Sequence, residues 1–214
     1  MGREHWPLFD LRITTPRVEL RYPDDETAFA VVDLASRGIH DPSSMPFAIP
    51  WTDQPDGARE RSSLQFLWGA RANLAPTDWS VPFAVYADGE LAGIQDVLAK
   101  DFGARRTVTT GSWLSLAVQG RGIGKEMRAA VLHLAFAGLG ALVAETAAWH
   151  DNAASLGVTR ALGYEPNGET TELRRGQPDR MLKFRLARER WEGRGRRDDI
   201  ELHGVEACLP LLTG

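Results

Sequence analysis

The stretch with the strongest chemical indication is residues 119–124, with the sequence Gln-Gly-Arg-Gly-Ile-Gly. An apolar run at residues 113–118 precedes it and apolar residues at helical spacing follow it, which predicts a turn from a strand into a helix. Glycines let a backbone approach a ligand closely, and the free N–H groups and dipole of a helix N-terminus attract negative charge. The turn therefore predicts a site for a phosphate or pyrophosphate.

Spacing separates the known phosphate-binding patterns. A dinucleotide-binding fingerprint needs a third glycine where this chain has Lys125. A P-loop needs Ser or Thr after Gly-Lys, but Glu126 follows Gly124-Lys125, and its first glycine would stand where the chain has Gln119. Both patterns fail, and what remains is Gln-x-x-Gly-x-Gly. Those six residues alone do not distinguish a ligand site from an ordinary glycine-rich turn.

The remaining pattern resembles the acyl-coenzyme A signature of the GNAT (GCN5-related N-acetyltransferase) superfamily. Further segments are similar to the branch that includes ribosomal-protein alanine N-acetyltransferases. These are a first strand at 15–21, an acceptor-side loop with Met45-Pro46-Phe47 and Pro50-Trp51, Gly111-Ser112-Trp113-Leu114, residues 151–155, and Ala161-Leu162-Gly163-Tyr164. Their order and spacing agree over residues 12–190. Within the branch, the chain also resembles a mycobacterial member described as a succinyltransferase, through residues 38–42 and a similar tail.

The resemblance implies an α/β (α+β) fold with a mixed, mostly antiparallel central sheet flanked by helices. Two parallel strands, here 113–118 and 142–147, would splay apart and admit the pantetheine arm of acyl-coenzyme A. A backbone N–H near Leu116 would stabilise the oxyanion of a tetrahedral intermediate. The implied co-substrate is acetyl- or succinyl-coenzyme A, with no metal. Its binding residues would be Leu116, Val118, Gln119, Asn152 and Ser155, with the backbone amides of Arg121, Gly122, Ile123, Gly124 and Lys125 on the pyrophosphate.

Asn152 and Ser155 have two interpretations. Asn-x-x-Ser at a helix start is an ordinary capping arrangement. Under the resemblance, Asn152 instead bonds to pantetheine. Many family members carry a tyrosine four positions after this serine, whose hydroxyl protonates the departing thiolate, but this chain has Thr159 there. Ser155 is therefore the hypothesised general acid.

Neither a general base nor an acyl-group pocket can be assigned from the sequence. No carboxylate lies between Thr107 and Val118, so the candidates are Asp96 and the pair His40-Asp41, or no side chain at all. A succinyl group would need a cation or several amide donors at its carboxylate. The arginines considered for that role are Arg17, Arg21, Arg37, Arg105 and Arg106. The expected acceptor is a primary amine on a protein, a peptide or a small molecule.

Composition excludes several other classes. The chain has 214 residues, of which 43% are hydrophobic and 25% charged, an ordinary globular balance. A net charge of -4 gives no support for nucleic-acid binding. No apolar run has membrane-spanning length, and residues 1–7 lack the apolar core of a signal peptide. Cys208, the single cysteine, cannot form an intrachain disulfide, so a cytoplasmic location is expected.

Periodicity and turn residues predict the elements around these sites. Asp24 or Asp25 is expected to cap the first helix, and Leu64, Phe66, Leu67 and Trp68 to supply the apolar side of the second. A hairpin is expected over 83–94, with its turn at Asp88-Gly89. Single strands are expected at 18–21, 105–116, 141–147 and 181–186, and a further strand is expected to end near Lys100. The expected helices are 57–74 and 153–162, with an ordered loop at 38–56.

Two segments complete the expected organisation. Residues 1–192 form a GNAT acyltransferase domain, and residues 193–214 form a tail that docks on that domain or on a neighbouring subunit of a homo-oligomer. Residues 189–197 are expected to be a solvated linker or helix end, because they are charged and contain glycine.

The sequence thus favours an acyl-coenzyme A dependent N-acyltransferase, and two other classes stay open. A non-catalytic acyl-coenzyme A binder or sensor fits the missing tyrosine and the missing strand carboxylate. An unrelated nucleotide-binding protein would bind ATP or NAD rather than coenzyme A.

Overall fold

A computed structural model describes residues 5–214 of the chain; residues 1–4, the start of the segment used to argue against a signal peptide, lie outside it. The strands of the described part are β1 (Arg12–Thr14), β2 (Val18–Arg21), β3 (Asp78–Ala87), β4 (Glu90–Lys100), β5 (Thr107–Leu114), β6 (Val143–Trp149), β7 (Glu165–Arg174), β8 (Gln177–Ala187) and β9 (Glu201–His203). The helices are α1 (Asp25–Ser36), α2 (Ala58–Ala72), α3 (Phe102–Arg105), α4 (Ile123–His133), α5 (Ala153–Ala161), α6 (Arg188–Arg194) and α7 (Val205–Leu212).

All of these strands join one mixed sheet, in the order β7-β8-β6-β5-β4-β3-β2-β1-β9. Its neighbours are antiparallel except for β5 and β6, which are parallel. Helices flank the sheet, so the predicted α/β fold with a mostly antiparallel sheet and one parallel pair is confirmed. Within residues 5–214, no helix is long and apolar enough to cross a membrane.

Two hydrophobic cores hold the helices on the sheet. The larger core buries most of α4 together with residues of the central strands, among them Phe83, Val108 and Leu186. The smaller core joins α1 and α2 to β3 and β4 through Val31, Leu67 and neighbouring residues. Because the neighbouring residues Phe83 and Ala84 lie in different cores, α4 covers one face of the sheet, and α1 and α2 cover the other.

Several local predictions are confirmed. Asp24 caps α1, because its side chain accepts a hydrogen bond from the Thr27 N–H at 2.9 Å. The β3–β4 hairpin turns at Asp88 and Gly89, whose φ angles of 52° and 87° are those of a two-residue hairpin turn. Residues 38–56 are a loop with one short 3-10 turn, Trp51–Asp53.

The predicted apolar side of α2 is wrong for two residues. Leu67 is buried, but Phe66 and Trp68 are 51% and 40% exposed. Consecutive helical residues point in directions about 100° apart, so a helix that buries Leu67 turns both of its neighbours outward. Trp68 instead makes an edge-to-face contact with the exposed Phe29 of α1.

Strand limits differ from the prediction near the site. The strand predicted at 105–116 ends at Leu114, and residues Leu116–Val118 form a 3-10 turn instead of continuing the strand to 118. The next parallel strand starts at Val143, so Leu142 lies outside it and is 49% exposed. The strand predicted to end near Lys100 is the second arm of the β3–β4 hairpin.

The end of the chain packs on the sheet rather than extending from it. Residues 188–194 form α6, and Trp191, predicted to lie in a solvated segment, is 2% exposed because it packs on Phe136. Strand β9 pairs with β1. Helix α7 buries Cys208, and the Trp79 Nε1–H donates to the Leu212 carbonyl oxygen at 2.8 Å.

Candidate active site

The glycine turn forms the N-terminus of α4. Gly120 and Gly122 have φ angles of 73° and 84°, in the left-handed region that glycine adopts most easily. Gly122 is the N-cap and supplies no side-chain acceptor. The Lys125 and Glu126 N–H groups both donate to the Gly122 carbonyl oxygen, at 3.1 and 3.2 Å. The amides of Ile123 and Gly124, the first two helical residues, have no partner inside the helix and are the donors suited to an anion.

An ion pair between the buried Glu126 and the half-exposed Arg17 anchors this turn to the connection between β1 and β2. Glu126 is 5% exposed and accepts from the Thr15 hydroxyl at 2.6 Å and from Arg17 Nη2 at 2.7 Å. Burial alone would raise the pKa of Glu126, but the hydrogen bonds from Thr15 and Arg17 outweigh it, and the pKa is lowered. Arg17 Nη1 also donates to the Arg121 carbonyl oxygen at 3.3 Å. The guanidinium of Arg17 therefore binds to two residues of the turn and helix start and stabilises the turn.

The parallel strands β5 and β6 separate as they approach the turn. Their paired residues are Thr107 with Val143, Val108 with Ala144 and Thr109 with Glu145. Beyond these pairs β5 runs on to Leu114 and β6 to Trp149 without pairing to each other. The predicted splay is present, although its β5 arm is shorter than expected.

Leu116 lies where β5 gives way to the 3-10 turn. It is the first residue of that turn, so its N–H has no partner within the turn, and the residue is 53% exposed. The preceding Ser115 N–H donates to the Ala92 carbonyl oxygen at 2.8 Å, which fixes the backbone direction. The Leu116 amide is therefore a fixed and accessible hydrogen-bond donor.

Gln119 joins the glycine turn to the 38–56 loop. Its Nε2 donates to the Leu114 carbonyl oxygen and to the Ile39 carbonyl oxygen, both at 2.8 Å. Both amide protons are thereby engaged. The side chain thus ties the end of β5 to the start of the 38–56 loop.

Asn152 caps α5, as the ordinary interpretation of Asn-x-x-Ser predicts. Its Oδ1 accepts from the Ser155 N–H at 3.0 Å, which leaves the Nδ2 protons for other acceptors. Ser155 is partly exposed, one turn into the helix. Thr159 is fully buried and its hydroxyl lacks a partner, so it does not take the place of the family's exposed tyrosine hydroxyl.

Asp96 is the most perturbed carboxyl group near the splay. The residue as a whole is partly buried, but its Oδ1 is completely buried and has no hydrogen-bond partner. Its Oδ2 lies over Gly111 of β5, 3.9 Å from the position that a Cβ at this glycine would occupy. Desolvation raises the pKa of Asp96 to about 7. A carboxyl group with this pKa can exchange a proton near neutral pH.

His40 and Asp41, the other base candidates, are engaged in the loop. His40 Nδ1 lies 2.8 Å from the Asp41 carbonyl oxygen and Nε2 lies 2.8 Å from the Thr52 hydroxyl. Asp41 is exposed and accepts from the Ser43 N–H, and this hydrogen bond lowers its pKa. Both residues stabilise the loop in this arrangement.

Two arginines that the sequence did not single out hold the 38–56 loop. Arg174 Nε donates to the Met45 carbonyl oxygen at 2.8 Å, and Arg175 Nη2 donates to the Pro42 carbonyl oxygen at 2.9 Å. Both residues come from the turn between β7 and β8. Strand β7 is exposed along almost its whole length, so no alternation of apolar residues marked it in the sequence. The only local indication of this hairpin in the sequence is the Arg-Arg-Gly turn between two charged segments.

Aromatic side chains line the same loop. Phe47 packs on Trp51 with ring centroids 5.3 Å apart, and Trp51 lies 6.3 Å from Trp113 of β5. The Trp149 Nε1–H at the end of β6 donates to the Phe47 carbonyl oxygen at 3.1 Å. The loop is thereby held against both splayed strands.

The five arginines that could have bound the carboxylate of a succinyl group do not lie in the splay. Arg17 pairs with Glu126, Arg21 with Glu19, and Arg106 donates to the Gly140 carbonyl oxygen. Arg37 is an exposed residue at the end of α1, and Arg105 is an exposed residue of α3. Arg128, which residue type and spacing did not single out, reaches both strands of the splay: it donates to Thr146 of β6 and to Ser112 of β5.

The residue pattern of helix α4 indicates that Arg128 is buried. Ile123, Met127, Ala130, Val131 and Leu132 lie on several sides of α4 and are all buried. A helix that is apolar on most sides lies inside a protein, so a charged residue within its central turns is buried with it.

Parallel strands that part beside an open helix N-terminus are the geometry with which α/β proteins can bind an anionic ligand at the carboxyl end of the strands. Residues 17–165 match the family model described as an acetyltransferase (GNAT) domain, and the chain belongs to the GNAT family.

Solved structures share the fold. Mycobacterium smegmatis RimJ, solved with a coenzyme A disulfide, is 20% identical with a TM-score of 0.71, over 96% of this chain and 95% of that one. RimL, a ribosomal L7/L12 alpha-N-protein acetyltransferase solved with coenzyme A, is 16% identical with a TM-score of 0.64, over 81% of this chain and 95% of that one. A GCN5-related N-acetyltransferase from Brucella melitensis is 18% identical with a TM-score of 0.68, over 85% of this chain and 80% of that one. The neighbours include the ribosomal-protein acetyltransferases that the sequence indicated.

Proposed function

We propose that this protein is an acyl-coenzyme A dependent N-acyltransferase that moves an acetyl or succinyl group to a primary amine by direct attack. The observation that carries the proposal is the combination of the β5–β6 splay with the open N-terminus of α4 directly after β5. The glycine turn offers amide donors for a pyrophosphate, and the separated strands offer unpaired backbone for an extended arm.

The residues present fit coenzyme A as a co-substrate. The amides of Arg121, Gly122, Ile123 and Gly124 would hold the pyrophosphate, with Lys125 adding its side-chain charge because its own amide is used inside the helix. Leu116 and Val118 would contact the pantetheine arm. Gln119 would contribute through its backbone and its free Oε1, and Asn152 through its Nδ2.

Three groups would carry the transfer. Asp96 would take a proton from the ammonium form of the acceptor, so that a neutral amine attacks the thioester carbon. The Leu116 N–H would stabilise the negative oxygen of the tetrahedral intermediate. Ser155 would give a proton to the sulfur as the carbon–sulfur bond breaks, and it would regain one from the attacking nitrogen, which loses its second proton as the amide forms. No bond between the acyl group and the protein forms in this scheme.

The acceptor would enter from the side of the 38–56 loop. Asp96 and Trp113 face the α1 and α2 side of the sheet together with Ile94, and the aromatic residues of the loop close over it. RimL is described as acting on a ribosomal-protein α-amine, which makes a protein N-terminus one acceptor class; a small amine is the other. We also propose a catalytic domain over residues 1–192, a docked tail over 193–214, a cytoplasmic location and a homo-oligomer.

Binding and turnover test the proposal separately. Coenzyme A and acetyl-coenzyme A are expected to raise the melting temperature, whereas ATP and NAD are not, because ligands that bind the native state stabilise it. A peptide with a free N-terminus should release free coenzyme A thiol from acetyl-coenzyme A, and the same peptide with a blocked N-terminus should not. Binding without turnover on any amine would identify a non-catalytic binder. A shift with ATP or NAD alone would overturn the assignment.

A further inference from the structure

Arg128 is a buried cation without a buried counter-charge. The residue is 4% exposed, on the side of α4 that faces the splay. Within residues 5–214, no carboxylate forms an ion pair with it. Burying an unpaired charge costs several kcal/mol, on the order of the net stability of a domain, so such a charge calls for a partner.

The guanidinium bridges the two strands where they have just parted. Nη1 donates to the Thr146 hydroxyl of β6 at 3.2 Å, and Nη2 donates to the Ser112 hydroxyl of β5 at 3.3 Å. The last paired residues of the two strands are Thr109 and Glu145, so both contacts lie inside the opening. Both hydrogen bonds are at or just beyond the long end of the usual range of about 2.7 to 3.2 Å, and both acceptors are neutral.

In the described part of the chain, the polar side chains around Arg128 are neutral hydroxyl groups and include no carboxylate. Arg128 Nε, the Thr110 hydroxyl and the Tyr164 hydroxyl are completely buried and have no hydrogen-bond partner. Burial raises the pKa of Tyr164, and the charge of Arg128 opposes that rise, so the phenol and the guanidinium lie close together. A neutral hydroxyl is a weaker acceptor for a guanidinium than an ionised group, and among acyl substituents the group that forms charge-assisted hydrogen bonds with arginine is a carboxylate.

We propose that Arg128 binds the far carboxylate of a dicarboxylic acyl group, and that it makes the enzyme selective for succinyl- or similar acyl-coenzyme A over acetyl-coenzyme A. This inference rests on the proposed function. In that function the pantetheine arm enters the β5–β6 opening, so the acyl group is delivered between the strands that Arg128 bridges. The hydroxyls of Ser112 and Thr146 would orient the guanidinium, whose fork of N–H groups matches a carboxylate.

Wild-type binding is the first test and needs no variant. Succinyl- and butyryl-coenzyme A have acyl chains of similar size, but only succinyl carries the charge. Isothermal titration should give succinyl-coenzyme A an affinity about 10- to 100-fold tighter than butyryl-coenzyme A, the range expected for a charge-assisted, buried pair. Malonyl- and glutaryl-coenzyme A report which chain length fits. Equal affinities for the succinyl and butyryl compounds would overturn the inference.

Replacement of the arginine is the second test. In Arg128→Met the preference for succinyl- over butyryl-coenzyme A should disappear, while the affinity for acetyl-coenzyme A stays within about threefold, a difference below 1 kcal/mol. Arg128→Lys keeps the charge but loses the fork, and should retain part of the preference. Arg37→Met, which removes an exposed arginine outside the splay, is the matched control and should retain all of it.

The melting temperature of the ligand-free variants separates a binding role from a structural one. Removal of an uncompensated buried charge is expected to leave the melting temperature of Arg128→Met equal to that of the wild type or to raise it. A large fall would mean that the guanidinium holds β5 and β6 together, and would contradict the proposal. If no acyl-coenzyme A binds to the wild type, the proposed function itself fails. If acetyl- and butyryl-coenzyme A bind as well as succinyl-coenzyme A, only the role of Arg128 fails.

Discussion

At the scale of single residues, the chemistry depends on groups whose burial sets their protonation. Asp96 keeps its proton to about pH 7 because its carboxyl group is desolvated. Glu126, also buried, is ionised because Thr15 and Arg17 donate to it. Two buried carboxyl groups thus take opposite charge states according to their hydrogen-bond donors. The first is suited to moving a proton and the second to holding the glycine turn.

The role of Asp96 as base predicts a pH-dependent loss of activity. In the wild type, kcat/KM should rise with pH through about 7 as the carboxyl group ionises. Asp96→Asn should lower kcat/KM by about 100- to 10,000-fold at pH 8 and should remove the step at pH 7. If Asp41→Asn removes the step and Asp96→Asn does not, the base lies in the loop instead.

The same residue predicts how stability changes with pH. The pKa of Asp96 rises from 3.8 to about 7 on folding. Its favourable contribution to the free energy of unfolding is therefore fully present below pH 3.8 and is lost as the pH rises through 7. Asp96→Asn does not titrate. Its stability relative to the wild type should therefore grow between these two pH values, by up to roughly 4 kcal/mol, and then level off. Urea unfolding at pH 5 and pH 8 measures this; an equal difference at both would contradict the assigned pKa.

Ser155 as general acid predicts a loss of turnover without a loss of binding. Ser155→Ala keeps the backbone N–H that Asn152 accepts from, so α5 stays capped. Turnover should fall about 100-fold, the usual contribution of a positioned acid, while coenzyme A affinity measured by titration changes little. Thr159→Val, which removes a buried hydroxyl without a partner, serves as control and should retain turnover. Equal losses of binding and turnover in Ser155→Ala would make the serine a binding residue only.

At the scale of elements, the glycine turn requires a left-handed backbone where the helix begins. Gly122→Ala places a methyl group in ordinary contact with Arg17 Nη2, at 3.5 Å, so its cost comes from the φ of 84° rather than from a clash. The expected loss is about 1 to 2 kcal/mol of stability, together with weaker coenzyme A binding if the turn shifts to relieve the strain.

Gly89→Ala is the matched control for this prediction. Gly89 has a φ of 87° in the β3–β4 turn, with open space around it. A similar loss of stability with unchanged coenzyme A affinity is expected from calorimetry of both variants. Equal affinities in Gly122→Ala and Gly89→Ala would mean that the backbone of the glycine turn does not hold the ligand.

The elements differ in how far the sequence predicts them. Strand β3, helix α1 and the Asp88-Gly89 turn follow from apolar spacing and turn residues, because each buries one face in the cores. Strand β7 does not, because its residues are nearly all exposed and it exists through pairing with β8. The three-residue β9 is also defined by its partner. Local patterns report burial, and they contain little information about pairing between distant segments.

The features of the candidate site also differ in how far the sequence predicts them. The glycine turn and the cap at Asn152 are local motifs, and both lie where the sequence predicted. The burial of Arg128 and the pKa of Asp96 depend on which strands surround them, so neither could be assigned from residue type and spacing. The anchoring of the 38–56 loop by Arg174 and Arg175 depends on a hairpin more than 100 residues away along the chain.

At the scale of the whole molecule, the tail completes one edge of the sheet. Gly204, between β9 and α7, has a φ of 72°, and a methyl group there would overlap the Asp10 carbonyl oxygen. Gly204→Ala should therefore destabilise the protein by about 2 to 4 kcal/mol, since backbone rather than a flexible side chain would have to move.

Gly176→Ala isolates the conformational part of that effect. Gly176 has a φ of 78° in the β7–β8 turn and nothing within 4 Å of the added methyl group. It should cost about 1 to 2 kcal/mol in urea unfolding, less than Gly204→Ala. Equal losses in the two variants would mean that the tail is not held tightly at Asp10.

The double hydrogen bond of Gln119 bears on how the acceptor preference could be redesigned. Gln119 holds the 38–56 loop through the Ile39 backbone carbonyl, and Arg174 and Arg175 hold it through the Met45 and Pro42 carbonyls. None of these three bonds uses a loop side chain. A library that keeps Asp53, which pairs with Arg175, and varies other exposed loop residues such as Ile49 could therefore explore new acceptors while these attachment points stay as they are.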